Sequence, residues 1–240
     1  MALPTVNVLS LCTGIGGLDI GVRMALPSAR TVCYVEREGY CAEVLAERME
    51  EGRLDDAPIW SDLRTFDGKP WRGVVDLVVA GAPCQPFSSA SRGRRVAFDL
   101  LPDVVRVLRE CGAWLLFLEN VLGAGPRLES LRAELLAAGY DSPPLAEVSP
   151  ASLGAPHDRD RLWLLAYAHG DRERLLSVYE EMARTRTIAC PAWRSEVAAR
   201  GVLGVDDGLP ARLDRLRGLG NAVSPQAATL AFCELVRRAA

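Results

Sequence analysis

The chain has 240 residues, a length that suggests one domain or one domain plus a small insertion. A hydrophobic fraction of 49% with 25% charged residues is that of a globular protein with a real core, and it excludes disorder for the bulk of the chain. No run approaches the roughly 18 apolar residues of a membrane span, and 28 basic against 31 acidic side chains (formal charge −3) exclude a bulk polycation. Met1–Asn7 carries no basic segment followed by an apolar one, so no secretory signal is read and a cytoplasmic protein is expected.

In chain order, Val6–Leu11 reads as a buried strand and Gly16–Leu26 as the helix after it. Thr31–Val35 is a second strand, followed by a helix from Gly39 to Met49. A presumed third strand precedes Ser61-Asp62-Leu63, and Val74–Ala80, Trp114–Leu118 and Leu162–Ala168 are further strands. Helices fit Leu101–Glu110, Leu128–Ala138 and Pro225–Arg238. Strands alternating with helices predict an α/β fold, a mostly parallel central sheet flanked by helices, with ligands beyond the carboxyl ends of the strands. The stretch from Gly170 breaks the rhythm with a charged, helical Arg172–Arg184 and then Cys190-Pro191, Trp193 and several glycines. It reads either as a surface excursion or as a small inserted recognition element.

Seven cysteines, none in C-x-x-C spacing, and only two histidines argue against a zinc site or a disulfide framework, and no metal is expected. Most of the thiols should be buried and reduced. Lys69 is the only lysine. Arginine suits phosphate recognition, but a GC-rich genome also favours its codons, and that explanation is preferred.

The candidate chemistry lies at the strand ends. Cys12-Thr13-Gly14-Ile15-Gly16-Gly17-Leu18 is a glycine turn between a strand and a helix, where backbone amides can approach a ligand. Glu36 closes the second strand and can accept from ribose hydroxyls, while Asp62 can accept from an adenine amino group. Together they describe a site for an adenosine-containing cofactor. The strand Val74–Ala80 runs into Gly81-Ala82-Pro83-Cys84-Gln85-Pro86-Phe87-Ser88. That puts a cysteine on a proline-constrained turn upstream of Arg92, Arg94 and Arg95, whose charge favours the thiolate. Glu119 emerges from an apolar strand in Leu118-Glu119-Asn120-Val121, a candidate acid with a raised pKa. Arg159 and Arg161 share one face of an extended segment after His157, and Leu219-Gly220-Asn221-Ala222-Val223 opens the last helix.

The ordered set Thr-Gly-Ile-Gly-Gly-Leu, Val-Glu, Ser-Asp-Leu, Pro-Cys-Gln-Pro-Phe-Ser, Glu-Asn-Val, His-x-Arg-x-Arg and Gly-Asn-Ala-Val resembles the cytosine-C5 DNA methyltransferases. The resemblance covers nearly the whole chain. It implies a Rossmann-like methyltransferase fold and S-adenosyl-methionine as cofactor, held by Cys12, Gly14–Leu18, Glu36, Asp62, Leu63, Pro83, Asn221 and Ala222. It further implies that Cys84 attacks C6 of a flipped-out cytosine in double-stranded DNA, that Glu119 serves N3, and that Arg161 and Arg159 hold and orient the base. Gln85, Ser88, Arg92, Arg94 and Arg95 would touch DNA. In this reading residues 1–169 and 207–240 form the catalytic domain and 170–206 a reduced target-recognition region, too small for a strict site of six or more base pairs.

Three departures from the family pattern stand out. Ser10 sits where an acidic residue is common, Arg37 where an aromatic often covers the adenine, and His157 where glutamine is usual. The competing readings are the same chemistry on RNA, and a non-catalytic or partner-dependent member whose recognition comes from a second chain.

Overall fold

The computed structural model describes residues 5–83, 99–155, 159–185, 218 and 221–240. Eight strands form one sheet: β1 (Val6–Leu11), β2 (Ala29–Val35), β3 (Ile59–Trp60), β4 (Leu77–Gly81), β5 (Leu115–Val121), β6 (Tyr140–Asp141), β7 (Ala146–Val148) and β8 (Arg161–Ala168). The order is β3-β2-β1-β4-β5-β8-β6, with β7 also on β8. The first five are parallel, and β8 runs antiparallel to β5, β6 and β7. The expected mostly parallel α/β architecture is what the chain adopts.

The strands are apolar on both faces because helices cover both. Alternation sends Leu9, Leu11, Val78, Ala80, Leu116 and Leu118 to one core, shared with α3 (Leu101–Cys111) and α4 (Gly125–Ala137). Val8, Leu77, Val79, Leu115 and Phe117 enter the other, against α1 (Gly17–Ala25), α5 (Arg172–Arg184) and α6 (Pro225–Ala239). Trp163 stacks on Phe117 at 5.3 Å between ring centres, and Phe232 of α6 meets Phe117 edge-on at 5.1 Å. A smaller cluster seats α2 (Gly39–Glu50) through Leu45 on Tyr34 and Leu54.

Two glycines of α1 let α6 come close. A Cβ on Gly17 would lie 2.2 Å from the Val223 carbonyl oxygen, and one on Gly21 would lie 2.6 Å from both Ala228 Cβ and the Pro225 oxygen. Thr229 donates to the Gly21 carbonyl at 2.9 Å across this contact. Ser224 caps α6 by accepting from the Ala227 amide, with Pro225 at the first helical position.

The first part of the segment expected to form the recognition region is scaffold instead. Leu175, Val178 and Met182 of α5 are buried in the second core. Arg174 pairs with Asp76 at 2.7 Å and lies over the Trp114 ring, while Glu181 accepts from the Ser28 amide and hydroxyl. Apolar spacing at i, i+3 and i+7 outweighs the helix's many charges. No helix among the described residues is long and apolar enough to cross a membrane.

Candidate active site

The chain leaves β1 for one neighbour and reaches β4 on its other side, so the crossovers diverge there and open a crevice at the carboxyl ends. A cleft of about 310 Å³ lies at this point, bordered by residues that follow β1, β2, β3, β4 and β5. That is within the range of small-molecule sites.

The turn after β1 is built by its backbone. Cys12 has φ 51°, the one non-glycine among the described residues in the left-handed region, and Gly14 follows at φ 60° with open space where a side chain would be. Gly14 donates its amide to Glu36 Oε2 at 2.6 Å, and the Glu38 amide donates to Oε1 at 2.8 Å. Glu36 is thereby fixed at the cleft wall; burial raises its pKa, and the amides that bind it oppose the rise. Burial also pushes the Cys12 thiol up to about 12, with Glu36 adding to the effect.

Asp62 caps a single helical turn, Leu63–Thr65, by accepting from the Arg64 amide. Both its oxygens also bind the Arg64 guanidinium, which holds its pKa down at about 2. Arg106 of α3 donates to the carbonyls of Leu63 and Phe66, each at 2.8 Å, and so pins this loop to the cleft.

The opposite wall is made by β5 and β8. Val121 pairs with Arg161 and Glu119 with Trp163, which makes Glu119 and Arg161 diagonal neighbours on one face. Arg161 Nε meets Glu119 Oε1 at 2.7 Å, with side-chain exposures of 19% and 10%. Burial raises the Glu119 pKa to about 6 against the opposing charges of Arg161 and Arg159. A carboxyl poised there can hold or release a proton near neutral pH. Arg159 also lines the cleft, its amide donating to Ser149 Oγ at 3.3 Å. Asn120 Nδ2 is buried at the cleft and has no hydrogen-bond partner among the described residues.

Of the residues expected from sequence, Cys12, Gly14, Glu36, Asp62, Leu63, Pro83, Glu119, Arg159, Arg161 and Asn221 come together around this cleft. Ile15, Gly16, Gly17, Leu18 and Ala222 do not line it. Leu18 is core, Gly17 makes room for the backbone at Val223, and Ile15 offers its carbonyl to Arg48. Cys84, Gln85, Ser88, Arg92, Arg94 and Arg95 lie outside the described residues, as does His157. Sequence reasoning passed over Cys41 and Leu100, two apolar wall residues that no motif marks. Of the five described cysteines, Cys33, Cys41 and Cys111 are buried and Cys12 and Cys233 half-buried. Among the described residues no cluster suits a metal ion.

Residues 6–189 match the family model for C-5 cytosine-specific DNA methylases. The Neisseria gonorrhoeae type II methyltransferase M.NgoMIV is 33% identical over 127 residues, covering 52% of this chain and 38% of that protein. M.HpaII of Haemophilus parainfluenzae is 28% identical over 196 residues, covering 75% and 51%. Among solved structures, DNMT2 of Spodoptera frugiperda superposes with a TM-score of 0.57 at 18% identity, over 69% of this chain and 50% of that one. The chain thus spans about half, or less, of the length of these proteins.

Proposed function

The chain belongs to the C-5 cytosine-specific DNA methylase family, and from that premise we propose that it methylates C5 of cytosine in double-stranded DNA, using S-adenosyl-methionine, in the cytoplasm. The observation that carries the reading is the Glu119–Arg161 pair, a buried carboxyl with its pKa near 6, facing the Glu36-anchored turn across one cleft.

The residues fit the cofactor. Glu36 is held by two amides with lone pairs left for ribose hydroxyls, Gly14 is open to the cleft, and Asn120 Nδ2 has a free proton to donate. Asp62, Leu63, Pro83 and Asn221 would complete the enclosure. When bound, the cofactor supplies an electrophilic methyl group.

Cytosine C5 is a weak nucleophile, so the ring needs activation. The Cys84 thiolate, directly after Pro83 in the chain, would bond to C6 of a cytosine swung out of the duplex. Glu119 would give a hydrogen bond or its proton to N3, so that negative charge does not accumulate on the ring. C5 would then be nucleophilic enough to accept the methyl group; loss of the C5 proton to solvent, with its C–H electron pair expelling the Cys84 thiolate from C6, would restore aromaticity. Arg161, which holds the Glu119 carboxyl, would also help hold the base through its O2 edge, and Arg159 would orient the neighbouring groups. With α5 part of the scaffold, recognition falls to the chain after Thr185, and a short or relaxed target site is expected.

The test is base-resolution cytosine methylation sequencing of plasmid DNA from methylation-free cells expressing the chain, with Cys84→Ala as control. Methylated cytosines in a shared context, absent from the control, are expected. Methylation at the wild-type rate in Cys84→Ala would remove the nucleophile assignment. Folded, cofactor-binding protein that leaves DNA unmodified but methylates RNA would move the substrate class.

A further inference from the structure

Behind the glycine turn lies a buried polar chain that the proposed chemistry does not use. Asp19, in the first turn of α1, is 5% exposed, and Ser10, Thr13 and Thr31 are equally out of water. Asp19 Oδ2 accepts from Ser10 Oγ at 2.9 Å and Oδ1 accepts from Thr31 Oγ1 at 3.1 Å. Thr13 Oγ1 has Ser10 Oγ at 3.0 Å as its nearest acceptor, with the Ser10 and Val35 carbonyl oxygens at 3.2 and 3.4 Å. Each hydroxyl has one proton to give. Ser10 and Thr31 both give theirs to the carboxylate, which turns a Ser10 lone pair toward Thr13. The acceptor-only Asp19 therefore orients the Ser10 and Thr31 hydroxyls and presents Thr13 with its nearest acceptor.

The chain ends at the cleft. Thr13 is flanked by Cys12, held in the left-handed region, and by Gly14, whose amide fixes Glu36. The Thr13 amide donates to Val35 O at 3.2 Å and its carbonyl receives the Gly16 amide at 3.1 Å. None of the ion pairs among the described residues neutralises Asp19. The charged and titratable groups around it are Asp55 and Tyr34, which interact with it unfavourably, and Arg23, which pairs with Asp55 at 3.9 Å. A lone carboxylate buried among hydroxyls is a poor way to stabilise a core, but it orders three hydroxyls that would otherwise rotate.

We propose that Asp19 is a positioning residue for the cofactor, holding the Cys12–Gly14 turn in its binding geometry through Ser10 and Thr13. The proposal rests on the cofactor reading given above. In Asp19→Asn, one side-chain atom becomes a donor, so either Ser10 or Thr31 faces a donor and the order of the chain is lost at unchanged size. Thr13→Val removes the last link and leaves Asp19 intact.

The experiment measures binding of S-adenosyl-methionine and S-adenosyl-homocysteine to the full chain by calorimetry without DNA, alongside kcat and KM for the cofactor. Loss of one ordered buried hydrogen bond corresponds to about tenfold. Asp19→Asn and Thr13→Val are thus each expected to bind about tenfold more weakly at pH 8, with the effect in KM rather than kcat. Burial raises the Asp19 pKa to about 6, so wild-type affinity is expected to fall below that pH as the carboxyl gains a proton. Glu36, whose pKa is also raised, titrates in every variant; the diagnostic is that Asp19→Asn loses part of the wild-type pH response. Wild-type affinity in a folded Asp19→Asn, or in Thr13→Val if Asp19→Asn does not fold, overturns the proposal alone. A wild-type chain that binds neither compound overturns the cofactor reading and the proposal with it.

Discussion

Replacing Arg161 with methionine isolates what the guanidinium does for Glu119, because the apolar stem is kept and only the charged head is removed. Breaking a buried pair by deleting one partner costs about 3–5 kcal/mol when the remaining charge cannot escape. Glu119 can escape by taking up a proton. Its pKa already stands near 6 against an ordinary 4.5, so at pH 7 the wild-type protein carries a penalty of about 2 kcal/mol for ionising it, at about 1.4 kcal/mol per tenfold change in proton affinity. Without Arg161, the first of the two charges that hold this pKa down, the folded pKa rises further. The penalty at pH 7 then climbs toward its ceiling of about 3 kcal/mol, set by neutralising the group outright.

The difference, about 1 kcal/mol, is the expected loss from the charge at pH 7. A carboxyl whose folded pKa is raised contributes stability that is present at low pH and lost as pH rises. The destabilisation should therefore grow at pH 8 and vanish near pH 5, where both proteins hold Glu119 protonated. Urea denaturation of wild type, Arg161→Met, Glu119→Gln and the double variant at pH 5, 7 and 8 measures it. A loss that is the same at all three pH values, or one that keeps its pH dependence in the Glu119→Gln background, would refute the reasoning.

The other expectations concern the same wall and the helix contact behind it. Glu119→Gln should reduce methyl transfer by about 10²–10⁴, the range for a positioned acid, while leaving the fold no less stable at pH 8; a loss under tenfold would assign the proton to another group. Gly21→Ala should destabilise the protein by about 1–3 kcal/mol through overpacking against Ala228 and Pro225, despite alanine's better helix propensity of about 1 kcal/mol. Denaturation midpoints decide this, and a stabilised Gly21→Ala would mean that α1 and α6 separate freely.

The long apolar strands were legible because burial on both faces leaves a continuous hydrophobic signature, as in Val6–Leu11 and Leu115–Leu118. Two- and three-residue strands such as Tyr140–Asp141 and Ala146–Val148 are too short for any period. The reversal of β8 was not legible either, since direction is set by the connection through α4, β6 and β7 rather than by Arg161–Ala168 itself. In α5, charge density masked a clear apolar stripe. At the site, acidic residues beside apolar runs were readable one by one, and ten expected residues, three of them acidic, meet at the cleft. The packing role of Gly17 against Val223 was not readable, because a glycine needed for close backbone contact and one needed for ligand approach look the same in sequence. Asp19 carried no signal: an acidic residue in the first turn of a helix ordinarily faces water and complements the dipole.

Three buried carboxylates lie in and behind one cleft, and each has a raised pKa for the same reason, burial, but a different set of donors. Glu36 is held by backbone amides, which cannot leave, and that suits a permanent wall of the cofactor site. Asp19 is held by hydroxyls, whose protons rotate, and that suits transmission of order to the turn. Glu119 is held by direct contact with one guanidinium, Arg161 on a neighbouring strand, which also donates to the Asp160 carbonyl and has further N–H groups that could serve a substrate oxygen. Only this last arrangement lets the proton affinity of the carboxyl change when a ligand arrives, because the ligand competes for the cation that sets it. A chain selected for stability alone would have exchanged such groups for apolar ones. Two of them stand at strand ends and the third in the first turn of α1 behind them, and their cost of a few kcal/mol at neutral pH places the chemistry at the carboxyl edge of the sheet.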